Sequence, residues 1–187
     1  MILLRHAQSE FNAAFSTTRV DPGIEDPRLT PQGERQAAEA GARLGGLALR
    51  RVVASPYTRT LHTAHIIAEV LGLPVSVDPL IREHAAFVCD IGTATSELRR
   101  RWPRCEFGDL PEVWWPEGGE SESDVRTRCE AFRRASAGLG DWPHILVVSH
   151  WGFIRGLTGQ ELSNGDMIRY DPVRTATTVV VSEVGPC

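Results

Sequence analysis

Five side chains suited to phosphate chemistry stand where apolar runs of the sequence stop. Arg5 and His6 follow Ile2–Leu4, Arg59 follows Arg51–Ala54 in VVASPYTRT, Glu83 follows Val75–Val77 in PLIREH, and His150 follows Ile145–Val148 in ILVVSHWG. Arginine holds its charge at any working pH and pairs its planar N–H fork with phosphate oxygens. A neutral imidazole has a lone pair free near neutrality and can attack phosphorus. A carboxylic acid can protonate a departing alcohol and then deprotonate water. Brought together, these groups supply the parts of phosphoryl transfer through a covalent intermediate, with no step that calls on a metal.

The elements that must position them alternate between strand and helix. Short apolar runs at Ile2–Leu4, Arg51–Ala54, Val75–Val77 and Ile145–Val148 read as strands, and Thr177–Val181 as a closing strand. A helix starts after Thr30, a good N-cap followed by Pro31, and ends at the glycines near 45–46. A second spans Tyr57 to Leu71, stopped by Gly72 and Pro74. Further helices are expected around Ser96–Trp102, from about Ser121 to Ala137, and near Phe153–Leu157. This alternation predicts one α/β domain over 1–187 with a mostly parallel sheet. In such a sheet the carboxyl ends of the strands share one edge, where distant residues converge. The irregular stretch 84–119 is expected as an insertion or cap over that edge.

Composition narrows the chemistry. All 20 basic residues are arginine, which excludes a lysine Schiff base or a phosphate-loop lysine. A net charge of -4 gives no support for nucleic-acid binding. No apolar run approaches a membrane span, and charge at Arg5 breaks any signal-peptide pattern, so a cytoplasmic location is expected. Cys89, Cys105, Cys129 and Cys187 form no metal-like spacing, and reduced thiols are expected. His62 and His65 lie three apart on a predicted helix, but no third ligand stands at a persuasive spacing, so no metal site is expected. The RRRWPR cluster, with Arg99, Arg100, Arg101 and Arg104, reads either as a solvated face or as a contact for a second anionic group of the substrate. Trp114 and Trp115 read equally as packing or as a substrate wall.

The stretch LLRHAQSEFN resembles the R-H-G-x-[ST]-x-x-N signature of the histidine phosphatase superfamily, whose members share the phosphoglycerate mutase-like fold. LTPQGERQA, VVASPYTRTLHTAHIIAEVLGLP, PLIREH, GGESESDVRTR and VVSHWGFIR follow in the family's order, so the resemblance runs over about residues 2 to 158. It implies a three-layer α/β/α sandwich. By motif position, His6 resembles the phosphorylated nucleophile, Arg5 and Arg59 the phosphate-binding arginines, His150 the second histidine and Glu83 the general acid. Ser9 and Asn12 match the hydroxyl and asparagine positions of the first signature, though such residues also organise turns. The backbone N–H of Trp151 would add a phosphate donor.

Two departures stand out: Ala7 replaces the signature glycine, and Trp151 occupies the middle of the common H-G-G. The resemblance implies a metal-independent phosphatase acting on a phosphorylated small molecule, with no cofactor and no nucleic-acid or membrane partner. A phosphoglycerate-type phosphomutase is the alternative enzyme, and a phosphate-binding regulatory module without turnover the alternative class. The natural substrate and the oligomeric state stay open.

Overall fold

A computed structural model describes residues 1–174 of the chain. Four parallel strands follow the apolar runs: β1 (Ile2–Arg5), β2 (Arg51–Ala54), β3 (Val75–Val77) and β5 (Ile145–Ser149). Among the described residues two short strands extend the sheet, β4 (Cys105–Glu106) and β6 (Met167–Arg169). The order is β4-β3-β2-β5-β1-β6, with only β6 antiparallel to its neighbour. The strand expected at Thr177–Val181 lies outside the described residues.

Among the described residues six α-helices accompany the sheet: α1 (Glu10–Thr18), α2 (Pro31–Leu44), α3 (Thr58–Leu71), α4 (Thr95–Arg101), α5 (Glu122–Ala137) and α6 (Trp151–Thr158). Their ends obey local chemistry. Thr30 caps α2 by accepting from the Gly33 N–H at 3.0 Å, with Pro31 at the first helical position. Ser121 and Asp124 form a capping box on α5. Gly72 ends α3 at φ 67°, a left-handed conformation that glycine adopts without steric cost.

Alternation along the strands sorts the core into two halves. Ile2, Leu4, Val52, Ala54, Leu146 and Val148 pack with Ala40 and Leu44 of α2 and with Leu61, Ala64 and Ile67 of α3. Met1, Leu3, Val53, Ile145 and Val147 pack with Val125, Cys129 and Phe132 of α5 and with Phe153 and Ile154 of α6. The result is the three-layer α/β/α arrangement.

The 84–119 segment is divided in its tasks. Leu98, Phe107, Leu110 and Trp114 join the core beside α3, and Cys105 pairs with Val75 to extend the sheet. Trp114 is buried, sends its indole N–H to the Thr93 carbonyl at 2.9 Å, and meets Tyr57 edge-on. Packing accounts for this tryptophan.

Candidate active site

Register brings the reactive groups together. Arg5 pairs with Ser149 across β1 and β5, and the His6 N–H donates to the Ser149 carbonyl at 2.9 Å, so His6 and His150 leave adjacent strands at the same level. Their ring centroids lie 5.1 Å apart. Beside them, Ser55 follows β2 and bonds the His150 Nε2 through its hydroxyl at 2.6 Å. Arg59 enters from the first turn of α3, and Glu83 from the chain beyond β3.

His6 is buried, and its Nδ1 lies 2.8 Å from the Ala7 carbonyl. The tautomer that satisfies this oxygen carries its proton on Nδ1 and leaves the lone pair on Nε2. Burial, then the charges of Arg59 and Arg5, hold the imidazole well below the ordinary histidine range. Burial and Arg59 act likewise on His150, whose Nδ1 is buried without a partner. Both rings are therefore neutral at pH 7.

Arg59 is clamped. Its Nη1 donates to the Cys89 carbonyl at 2.9 Å, its Nη2 to Asp90 Oδ1 at 3.0 Å, and its guanidinium lies 4.3 Å from the Tyr57 ring centroid. Arg5 donates through Nη1 to the Leu162 carbonyl at 2.7 Å, and its buried Nε has no partner. It thus brings a positive charge without a carboxylate bonded to it.

Glu83 Oε1 accepts from the His84 N–H at 2.9 Å and the Gly152 N–H at 2.8 Å. With Oε1 taken twice, the acidic proton belongs on Oε2. Burial, then the nearby charge of Asp90, raises this carboxyl above the ordinary range; Arg59, the His84 N–H bond and Arg5 work the other way. A Cβ on Gly152 would come 2.5 Å from Glu83 Oε1, so only glycine fits there. The loop behind Glu83 is braced by Arg128, which donates to Glu120 through Nε and Nη2 and to the carbonyls of Leu80, Arg82 and Glu83. That brace comes from GGESESDVRTR.

Ser9 and Asn12 cap α1. Asn12 Oδ1 accepts from the Ser9 N–H at 3.1 Å, the Ser9 hydroxyl at 2.9 Å and Asn164 Nδ2 at 3.1 Å. Asn164 Nδ2 also reaches the His6 carbonyl at 3.0 Å. Both signature residues border the same cavity as Arg5, His6, Arg59 and Glu83, a space of about 500 Å³. Trp151 borders it too, with the Arg155 guanidinium 5.0 Å from its ring centroid. Its N–H sits in the first turn of α6, where such groups lack intrahelical acceptors. The methyl group of Ala7 is accommodated in a small buried cluster with Leu29 and Ala37.

Other expected features lie elsewhere. Arg100 and Arg101 bind Glu97, Arg104 binds Glu69, and Arg99 donates to the Gly108 carbonyl; none borders the cavity. His62 and His65 face Glu34 and Glu69 and flank Trp102. Among the described residues no three His, Cys, Asp or Glu side chains are grouped to hold a metal. No helix among them is long and apolar enough to cross a membrane. Sequence reading missed Asp90, Asn164, Ser55 and the aromatic residues Phe11, Phe15 and Phe87, the last three of which border the cavity. Of these, only the Phe11–Phe15 spacing left a local signal, one helical turn apart.

The chain resembles known proteins in sequence and in fold. A protein of Erwinia tasmaniensis named "Probable phosphoglycerate mutase GpmB" is 33% identical over 156 residues, covering 79% of this chain and 67% of its own length. A mycobacterial glucosyl-3-phosphoglycerate phosphatase, solved with VO3, superposes with a TM-score of 0.62 at 26% identity, over 90% of this chain and 88% of that one. An ecdysone phosphate phosphatase from Bombix mori, in complex with tungstate, superposes with a TM-score of 0.72 at 17% identity, over 100% of this chain and 93% of that one, a likeness of fold. The family model for the histidine phosphatase superfamily, branch 1, matches residues 1–184, and the chain belongs to that family.

Proposed function

We propose that the chain hydrolyses a phosphomonoester through a phosphohistidine on His6. The observation that carries this reading is a neutral imidazole with its Nε2 lone pair free, beside Arg5, Arg59 and a carboxyl whose affinity for a proton is raised. His6 Nε2 attacks phosphorus, and the bond to the ester oxygen breaks. Glu83 gives its Oε2 proton to the departing alkoxide. Glu83, now a carboxylate, takes a proton from water as its oxygen attacks phosphorus and the P–N bond breaks. Inorganic phosphate leaves, His6 is neutral again, and Glu83 is reprotonated. Arg5, Arg59 and His150 stabilise charge on the transferring group, and the Trp151 N–H adds a donor. The substrate is a phosphorylated small molecule, and the setting is cytoplasmic.

The likeness to a protein named as a mutase favours a second reading, in which the phosphoryl group returns to a sugar acid. Brief reaction with labelled substrate, then denaturation, distinguishes the outcomes. Hydrolysis predicts an acid-labile, base-stable phosphoprotein, lost in His6→Ala, with label ending in inorganic phosphate. Label ending in an isomeric phosphoglycerate would establish the mutase. Label retained by His6→Ala would remove the nucleophile from its role.

A further inference from the structure

Part of the cavity lining is aromatic, built by residues that the phosphoryl chemistry does not use. Phe11 and Phe15 lie one turn apart on α1 with rings stacked 5.2 Å apart at 13°. Phe87, from the segment after Glu83, closes a triangle with centroid distances of 5.5 Å to Phe11 and 5.4 Å to Phe15. Phe87 is 45% exposed, an unusual position for a phenyl ring whose burial against a ligand would be favourable.

Charge in the cavity matches one dianion. Asp90 already neutralises Arg59, which leaves Arg5 deep in the site and Arg19 at the rim, its guanidinium 5.9 Å from the Phe15 ring centroid. The arginines of the 99–104 cluster, engaged with Glu97, Glu69 and the Gly108 carbonyl, lie off the cavity. The ring wall is also fixed to the phosphate end: the N–H groups of Ala86 and Phe87 donate to Asp90 Oδ2 at 3.0 and 3.1 Å, while Oδ1 of the same carboxylate holds Arg59.

We infer that Phe11, Phe15 and Phe87 select monoesters of flat, apolar alcohols over those of small hydrophilic alcohols. The inference rests on the hydrolytic reading for its substrate, but binding tests it separately. The probes are 2-naphthylmethylphosphonate and methylphosphonate, neither hydrolysable, titrated calorimetrically into the full chain. The naphthyl compound should bind at least about tenfold more tightly, and Phe87→Ala and Phe15→Ala should each cut that margin roughly tenfold, the scale of one aromatic contact. Val113→Ala, an exposed apolar residue outside the cavity, should leave the margin as it is. In turnover, 2-naphthylmethyl phosphate should exceed glycerol phosphate in kcat/KM by a similar factor, the two leaving alcohols being comparably poor. Equal affinity for the two phosphonates, or a margin unmoved in both phenylalanine variants, overturns the inference. A chain that shows the margin and hydrolyses neither ester sustains the wall and overturns the hydrolytic reading. One that hydrolyses both esters equally and shows no margin does the reverse.

Discussion

Arg59 and Asp90 form an ion pair of 3.0 Å in which both side chains are almost wholly buried. The pair joins α3 to the segment that carries the aromatic wall, because the other oxygen of Asp90 accepts the N–H groups of Ala86 and Phe87. One carboxylate thus orients a phosphate-binding arginine, fixes a loop and bears on the Glu83 carboxyl.

Asp90→Ala would leave Arg59 buried and uncompensated, which typically costs about 3–5 kcal/mol. Urea unfolding should show a loss of this size. Asp90→Asn keeps the shape and removes the charge. Since that charge is the second cause, after burial, of the raised Glu83 carboxyl, its removal lowers the Glu83 pKa. The alkaline limb of kcat/KM on an alkyl phosphate, where Glu83 must be protonated, should then move to lower pH. A limb that stays in place would separate Asp90 from the proton transfer.

Glu83→Gln removes the proton donor and keeps a hydrogen-bond acceptor for Gly152. Acid catalysis is worth roughly 10²–10⁴-fold, so turnover of an alkyl phosphate should fall by that order. In kcat/KM, which ends at phosphohistidine formation and so leaves out the later role of Glu83 as base, nitrophenyl phosphate, whose nitrophenolate leaves without protonation, should lose far less. Equal losses on both would assign Glu83 to binding, with His84, whose Nε2 lies 2.8 Å from the Glu120 carbonyl, the next group to vary.

The two buried histidines make stability depend on pH with a defined sign. Both have folded pKa values well below the unfolded value of about 6.5. The unfolded chain therefore binds protons that the folded chain refuses. Stability from this source is full above pH ~6.5 and is lost as pH falls below it, by up to roughly 1.4 kcal/mol per pH unit for each ring. Glu83 acts oppositely: its raised pKa favours the folded state below its unfolded value, and that contribution fades as pH rises through the folded one. Urea midpoints between pH 7 and 5 should fall steeply in the parent chain and less steeply in His6→Gln. Parallel slopes would mean that His6 is protonated in the folded state.

Much of the fold was legible because its signals are local. Thr30 with Pro31, Gly72 with Pro74 and the Ser121 cap each mark a helix end within a few residues. The reactive positions were legible for the same reason: each follows an apolar strand, and parallel register carries them to one edge. The sheet's short strands were not, since Cys105–Glu106 and Met167–Arg169 offer two and three residues in which no period can show. Nor was α1, where Glu10–Thr18 mixes two phenylalanines with alanines and threonines and ends without glycine. Asp90 and Asn164 escaped because their partners stand 31 and 152 residues away, at Arg59 and Asn12. The arginines of RRRWPR advertised a site they do not line. Glu97, one helical turn from Arg100 and Arg101, takes both of them.

The Glu83 carboxyl depends on a residue with no side chain. Gly152 supplies an N–H to Oε1 at 2.8 Å, and the space its Cβ would fill is occupied by that oxygen and by the His84 Cβ at 2.8 Å. Gly152→Ala must therefore push Glu83 and His84 away from α6. Overpacking of this kind costs typically 1–3 kcal/mol, which urea unfolding would register. The larger effect falls on the reaction, since a displacement near 1 Å can cost about 10²-fold when a group must meet a reacting atom. The kcat/KM for alkyl phosphates should fall by that order and that for nitrophenyl phosphate less, the pattern of Glu83→Gln. Phosphohistidine formation from the nitrophenyl ester should survive, because His6, Arg5 and Arg59 lie on other elements. A variant that loses both substrates equally, with the label gone, would mean that the methyl group had collapsed the phosphate end as well.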